Sequence, residues 1–398
     1  VPGLTDTIAD FCQDTSNWCR PYTGNWSNPF TLSPTSLHDH SAYSQIVAFG
    51  DSLSDAGDTP SEPGNLYEIL FQASRGQLLF PPPTLGYYQG RLTNGLMWVE
   101  YLAADRRLAL KDFAVIGATS GTTNIAPLTA QNAGIKLEDF GVDPQQLPGL
   151  QQQISQFAAQ LGQDRADPKA LHTVWAGAND FSIGLREFLA GGQDFSRLAE
   201  VALQAVANVG KVIVNLTDLG AQTIVVANLP DLGDTPYNAS IGAVPAARFF
   251  SQVFNTGLDL TLSFLEPYLR WTENPRVDLA RVDIYSAFKD VLRQPSEYGL
   301  TNVTDAWLLS DKSVNPNPNQ YLFYDGNHPT TAVHRLVANT FEDSLKLGSS
   351  IGGSSSMLAN IPNLAPQLDQ LLGALLPSNA PNAFPSLVSI PANVSRSA

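Results

Sequence analysis

Ser52 stands in "AFGDSLSDAG" (48–57), directly after a short apolar run closed by Gly50. A serine hydroxyl is a weak nucleophile at its own pKa and needs a base to take its proton. Five histidines are present to serve as that base, namely His38, His40, His172, His328 and His334. His328 lies in "YDGNHPTTAVH" (324–334), with Pro329 next to it. Proline is favoured at the first helical position, so this pattern predicts His328 on a loop just ahead of a helix. Asp325 lies on the same loop. One loop can thus supply the base and the carboxylate that orients it and stabilises the imidazolium.

These side chains need elements to hold them. Residues 46–49 read as a strand entering a turn, and 95–107 as an amphipathic helix. "DFAVIGATSG" (112–121) is an apolar run breaking into a Gly/Ser/Thr turn. Helical patterns cover 148–162, 196–218, 244–269 and 329–346, and strands fall within 171–180, 221–233 and 276–285. Strands alternating with helices predict an α/β fold with a mainly parallel sheet. Continuous Val/Ile-rich runs agree, since such strands are buried on both faces. In open parallel sheets ligands bind beyond the carboxyl ends of the strands. Three such ends carry polar residues in small-residue turns: "GDS" (50–52), "GAT" (117–119) and "GAND" (177–180). Ser52 is expected at the start of the next helix, where backbone N–H groups face a developing anion.

The ordered blocks resemble the GDSL esterase/lipase family of the SGNH hydrolase superfamily, in particular a secreted member of fungal type. They are "FGDSLSDAG" (49–57), "DFAVIGAT" (112–119), "GAND" (177–180) and "DGNHP" (325–329), with "GRLTNGLMWVEYLA" (90–103) similar to the segment after the family's first strand. The resemblance spans residues 46–346. It implies a flavodoxin-like three-layer α/β/α sandwich on a mainly parallel five-stranded sheet of order 2-1-3-4-5. It implies a Ser52–His328–Asp325 triad and an oxyanion hole of the Ser52 and Gly117 N–H groups and the Asn179 amide. Three donors converging on one point suit a tetrahedral oxyanion. Asp58 and Asp112 depart from the family, which often has Asn at both places.

Other residues have plainer readings. Asp51 is expected to brace its loop, His172 to be structural, and His334 to lie on the helix after the base. Trp175 and Phe181 read as core. Tyr87 and Tyr88, in a Pro/Gly-rich loop, are candidates to line an acyl or aromatic pocket. "GSSIG" (348–352) matches G-x-S-x-G around Ser350, but that motif needs a strand–turn–helix context and here lies in a Gly/Ser run.

The 398 residues carry a net charge of −15, from 22 basic and 37 acidic side chains. That field repels phosphate backbones and anionic surfaces, so nucleic acid is excluded as a partner and neutral esters are expected to outperform anionic ones. No metal-ligand cluster or cofactor motif is found, and no run of eighteen apolar residues predicts a transmembrane helix. The organisation reads as an arm (1–44), a catalytic domain (45–346), and a Gly/Ser linker with a C-terminal extension (347–398). Cys12 and Cys19 in the arm are expected to form a disulfide, worth about 2–3 kcal/mol by loop entropy. Leu368, Leu371, Leu372, Leu375 and Leu376 fall on one helical face, a candidate for transient lipid-surface contact. Sequons begin at Asn25, Asn215, Asn238, Asn302 and Asn393, about as many as chance gives here. The start at Val1 reads as a processed chain. With the Lys-poor composition and the cysteine pair, it predicts secretion. The expected function is hydrolysis of a small-molecule or lipid ester. Acyl transfer by the same triad and a catalytically dead binding module are the alternatives.

Overall fold

Four strands are runs of mostly apolar residues buried on both faces, and they build the middle and one side of a parallel sheet. The computed structural model describes residues 43–57, 70, 80–81, 83–132, 136–272, 276–311 and 313–347. In chain order the elements begin with β1 (Gln45–Gly50), α1 (Trp98–Arg106), β2 (Ala109–Asp112) and α2 (Ala126–Asn132). Next come α3 (Leu150–Leu161), β3 (Leu171–Trp175), α4 (Ala178–Ala190), α5 (Phe195–Leu219) and β4 (Thr223–Ala227). Then follow α6 (Pro236–Ser240), α7 (Val244–Thr272), β5 (Asp278–Val282) and α8 (Ile284–Arg293). The last are β6 (Asn302–Ala306), β7 (Tyr321–Phe323) and α9 (Thr331–Leu347).

The five-stranded sheet has the order β2-β1-β3-β4-β5, parallel throughout, with Ile46 opposite both Leu110 and Leu171. Side chains alternate across β1, so Val47 and Phe49 enter one layer and Ile46 and Ala48 the other. The first layer packs residues of α3, α4, α5 and α7, the second those of α1, α8 and α9. Phe49, Phe113 and Phe157 interlock on one face, while Trp98 stacks on Phe341 with centroids 3.7 Å apart on the other. The chain runs outward in both directions from β1 and β3. The crevice beyond their carboxyl ends is therefore the place for a ligand.

Several expectations are corrected. The second strand ends at Asp112, so Gly117 does not close a strand. Past it the Phe113 and Val115 N–H groups still donate to Ala48 O and Gly50 O of β1, while the Asp112 carboxylate accepts the N–H of Ala114 at 2.9 Å and of Ala56 at 2.7 Å. "GAND" is not a bare turn, since Asn179 belongs to the first turn of α4. The last helix starts at Thr331, not at Pro329, because Pro329 is held extended in a bridge to Phe323. A second parallel pair, β6–β7, has no counterpart among the expected strands. Asn238 is buried and its amide donates to Leu232 O at 2.8 Å, so that sequon is already occupied by the fold. Helix α5 is long and apolar enough to cross a membrane, but 61% of its most apolar window is buried inside the protein. The cysteine pair, Asp58, the Ser350 motif and the leucine face lie outside the described residues.

Candidate active site

Gly50 ends β1 against the carbonyl of Trp175, where an added Cβ would stand 2.3 Å from that oxygen. Only glycine lets the chain turn so close to the neighbouring strand. The chain then makes one helical turn, with the N–H groups of Ser54 and Asp55 both donating to Asp51 O. Among the described residues this turn does not continue into a helix, unlike the expectation for Ser52. Its carboxylates accept backbone N–H groups. Asp55 takes the N–H of Gly57 and of Ile116, tying this turn to the chain that carries Gly117. Asp51 Oδ1 takes the N–H of Leu53, while its buried Oδ2 finds no hydrogen-bond partner among the described residues. Burial pushes the Asp51 carboxyl up to about 7, against the pull of the Leu53 N–H and the His328 charge.

His328 arrives from the far end of the chain. Ser52 Oγ lies 2.9 Å from His328 Nε2, and His328 Nδ1 lies 2.9 Å from each Asp325 oxygen. Asp325 Oδ1 also accepts the N–H of Asn327 and of His328, both at 2.8 Å, and Oδ2 accepts the Tyr87 hydroxyl at 2.8 Å. Burial alone would raise the Asp325 carboxyl. The His328 charge and these N–H bonds outweigh it and hold the carboxyl below its ordinary value. An ionised carboxylate only accepts, so Nδ1 carries the ring proton and Nε2 accepts from Ser52. Burial would lower the His328 pKa, but the Asp325 charge and bond, with Asp51 beyond, raise it.

The base loop is braced by the "GRLTNG" segment. Thr93 Oγ1 donates to Pro329 O at 2.9 Å, and Asn94 Oδ1 accepts the Thr331 N–H at 3.0 Å. Arg91 anchors that segment through two 2.7 Å bonds to Glu100, both side chains being fully buried.

Gly117 has φ +80, and a Cβ there would meet Asn124 Oδ1 at 2.5 Å. Asn124 fixes the segment by donating to Ile116 O and Pro148 O and accepting the Ala126 N–H. Asn179 donates one amide hydrogen to Ala118 O at 2.9 Å, which leaves the second for a ligand. Among the described residues, neither Ser52 N–H nor Gly117 N–H is spent on a backbone carbonyl. Asp180 locks the same corner by accepting Ser120 N–H at 2.8 Å and Ser120 Oγ at 2.7 Å.

One supporting residue has no signal in the sequence. Gln153 brackets Gly50, accepting its N–H at 2.9 Å and donating to its carbonyl at 2.7 Å. Tyr87 is half-buried on Asp325, and Tyr88 carries Arg91 over its ring at 5.1 Å. His172, His334, Trp175 and Phe181 are buried. Among the described residues His334 finds no partner for either ring nitrogen, and burial holds it neutral, with a pKa of about 3.

A parallel α/β sheet with a serine, a histidine and a carboxylate in hydrogen-bond sequence at its switch point defines a hydrolase-type fold and site. The GDSL-like Lipase/Acylhydrolase model matches residues 46–341, and the chain belongs to that family. It is 25% identical to the thermolabile hemolysin of Vibrio parahaemolyticus, over 80% of this chain and 66% of that protein. It is 31% identical to the phosphatidylcholine-sterol acyltransferase of Aeromonas hydrophila, over 67% of this chain and 65% of that protein. The chain thus spans just under two thirds of the length of these two relatives. An Arabidopsis thaliana GDSL esterase/lipase, At1g06990, is 24% identical over 75% of this chain and 88% of its own length.

Proposed function

We propose that this chain is a carboxylic-ester hydrolase acting through a Ser52 acyl-enzyme. The observation that carries the reading is the 2.9 Å contact between Ser52 Oγ and His328 Nε2, the acceptor nitrogen of the ring. In this mechanism Ser52 Oγ attacks the ester carbonyl carbon as Nε2 takes the hydroxyl proton. The Asp325 carboxylate stabilises the imidazolium. The carbonyl oxygen becomes an oxyanion held by the N–H groups of Ser52 and Gly117 and the free amide hydrogen of Asn179. His328 returns its proton to the departing alkoxide, the alcohol leaves, and the acyl group stays on Ser52. Water deprotonated by His328 then attacks the acyl carbon, His328 returns the proton to Ser52 Oγ as the acyl–oxygen bond breaks, and the acid leaves.

Membership of the GDSL-like Lipase/Acylhydrolase family supports the reaction class. The net charge of −15 favours neutral short- to medium-acyl esters over anionic ones. The acidic, Lys-poor composition supports secretion. A fluorophosphonate probe tests the core of the reading. It should label the native chain and not Ser52→Ala, and no labelling of the native chain would leave a binding module.

A second reading has one specific support, the 31% identity to a protein named as an acyltransferase. An alcohol would then replace water as acceptor of the same acyl group. Product analysis with added alcohols decides it: transfer that outruns hydrolysis in dilute alcohol would favour the transferase.

A further inference from the structure

The Asp325 carboxylate carries a bond that the triad chemistry does not require. Tyr87 Oη lies 2.8 Å from Asp325 Oδ2, across 238 positions of sequence. Asp325 is held ionised, so the phenol must be the donor. Burial first, and then the Asp325 charge, push the phenol pKa far above its ordinary value, so its proton stays in place. Tyr87 can neither act as a base nor leave the carboxylate without exposing a partly buried charge.

The surroundings fix this bond from both ends. The Tyr87 ring meets the Tyr324 ring edge-on at 5.2 Å, and Trp307 stacks on Tyr324 at 5.5 Å. Tyr324 OH donates to Leu85 O at 2.9 Å, and a Cβ on Gly86 would lie 2.7 Å from that hydroxyl. Tyr324 directly precedes Asp325, and Leu85 lies two residues before Tyr87. One aromatic platform therefore sets the position of both donor and acceptor. The two remaining local donors, Asn327 N–H and His328 N–H, both go to Oδ1. Tyr87 supplies the bond to Oδ2 from outside the loop.

We propose that Tyr87 is a positioning residue of the triad: its hydroxyl holds the Asp325 carboxylate facing His328 Nδ1 and tempers the negative charge that sets the basicity of His328. The proposal rests on the serine-hydrolase reading. It replaces the expectation that Tyr87 lines a substrate pocket, because its one polar atom is committed to Asp325. Without the hydroxyl, Oδ2 keeps fuller charge and favours the imidazolium more. The acid limb of the pH–rate profile should then move to higher pH. Looser orientation should slow the step in which Nε2 takes the serine proton.

The test is Tyr87→Phe in the full chain, with 4-nitrophenyl butyrate as substrate, alone and combined with Asp325→Ala. Expected are a kcat lower by about tenfold and a KM within about twofold of native. The acid limb should rise by about 0.3–0.5 pH unit. In the Asp325→Ala background the same substitution should change nothing further, since Tyr87 acts only through that carboxylate. A KM increase with kcat intact would overturn the proposal in favour of a substrate wall. So would an acid limb that stays or falls, or an equal loss in both backgrounds. The position of the limb does not depend on how much protein is folded, so partial misfolding leaves the result readable. Ser52→Ala is run beside it. If it stays active, the serine-hydrolase reading has failed. If it is dead while Tyr87→Phe behaves as native, only the role of Tyr87 has failed.

Discussion

The side-chain amide of Gln153 closes a two-bond ring on Gly50, with Oε1 accepting the N–H at 2.9 Å and Nε2 donating to the carbonyl at 2.7 Å. All of these groups are buried, and Gly50 lies two residues before Ser52. The carbonyl has a second donor in Val115 N–H at 3.2 Å, but the Gly50 N–H relies on Gln153. Gln153→Ala should therefore destabilise the fold by about 1–3 kcal/mol, the cost of an unsatisfied buried donor. It should also lower kcat, because the turn holding Ser52 loses its anchor. Thermal unfolding and steady-state kinetics check both. Native values in each would remove Gln153 from the description of the site.

Ser52 and His328 act as one unit in the proposed mechanism. Ser52→Ala and His328→Ala should each lower kcat by roughly 10⁴-fold or more, and the double variant should be little worse. Asp325→Ala should cost less, since the imidazole remains. Ser350→Ala should change nothing. Kinetics on variants with native circular dichroism decide it, and substantial turnover by Ser52→Ala would end the assignment.

Asn179 keeps one amide hydrogen on Ala118 O, and in the proposed mechanism the other goes to the oxyanion. Asn179→Ala leaves the two backbone donors of the hole. It should lower kcat by roughly 10²–10³-fold with little change in KM, because that bond strengthens as charge develops. A rise in KM without loss of kcat would place Asn179 in ground-state binding instead.

The proposed reaction needs neutral His328. Asp325, assisted by Asp51, raises the pKa of that ring despite burial. The acid limb of kcat/KM should thus have its midpoint above the ordinary histidine value of about 6.5. Asp325→Asn removes the charge that favours the imidazolium, so its residual activity should titrate at lower pH. Profiles from about pH 4.5 to about pH 9 would show it, at constant ionic strength. A limb unmoved by Asp325→Asn would contradict the coupling.

Asp51 gives a stability test with a defined sign. Its folded pKa is raised to about 7 by burial, whereas the unfolded carboxyl titrates near its ordinary value. The folded state therefore binds the proton more tightly. The stability this contributes is full below about pH 4 and is lost as the pH rises through about 7. Asn cannot titrate, and its Oδ1 still accepts the Leu53 N–H. Asp51→Asn should gain on the native chain by about 2–3 kcal/mol between about pH 5 and about pH 8. Denaturant melts at the two pH values measure it. A difference independent of pH would show that Asp51 is not held above its ordinary pKa.

The α/β class, the parallel strands to within a few residues, and the serine, histidine and aspartate whose side chains meet as Ser52, His328 and Asp325 were legible in the order of the amino acids. Those features are local. A buried parallel strand is a continuous apolar run, and a nucleophile, a base and its carboxylate sit in short turns of unusual composition. What holds them was legible only in three dimensions. Gln153 is 103 positions from Gly50, and Tyr87 is 238 from Asp325. Asn94 is 237 from the Thr331 N–H it accepts. Glutamine, tyrosine and asparagine are common surface residues, and nothing in their neighbours distinguishes one that will be buried against a distant partner. The early end of β2 has the same origin. "DFAVIG" has the apolar pattern of a strand, and Phe113 and Val115 N–H still bond β1, but the Gly50 N–H goes to the Gln153 side chain and the Asp112 carboxylate takes the Ala56 and Ala114 N–H groups. Whether a carboxylate folds back on the backbone or points to water is settled by what packs over it, and that is a property of the whole fold.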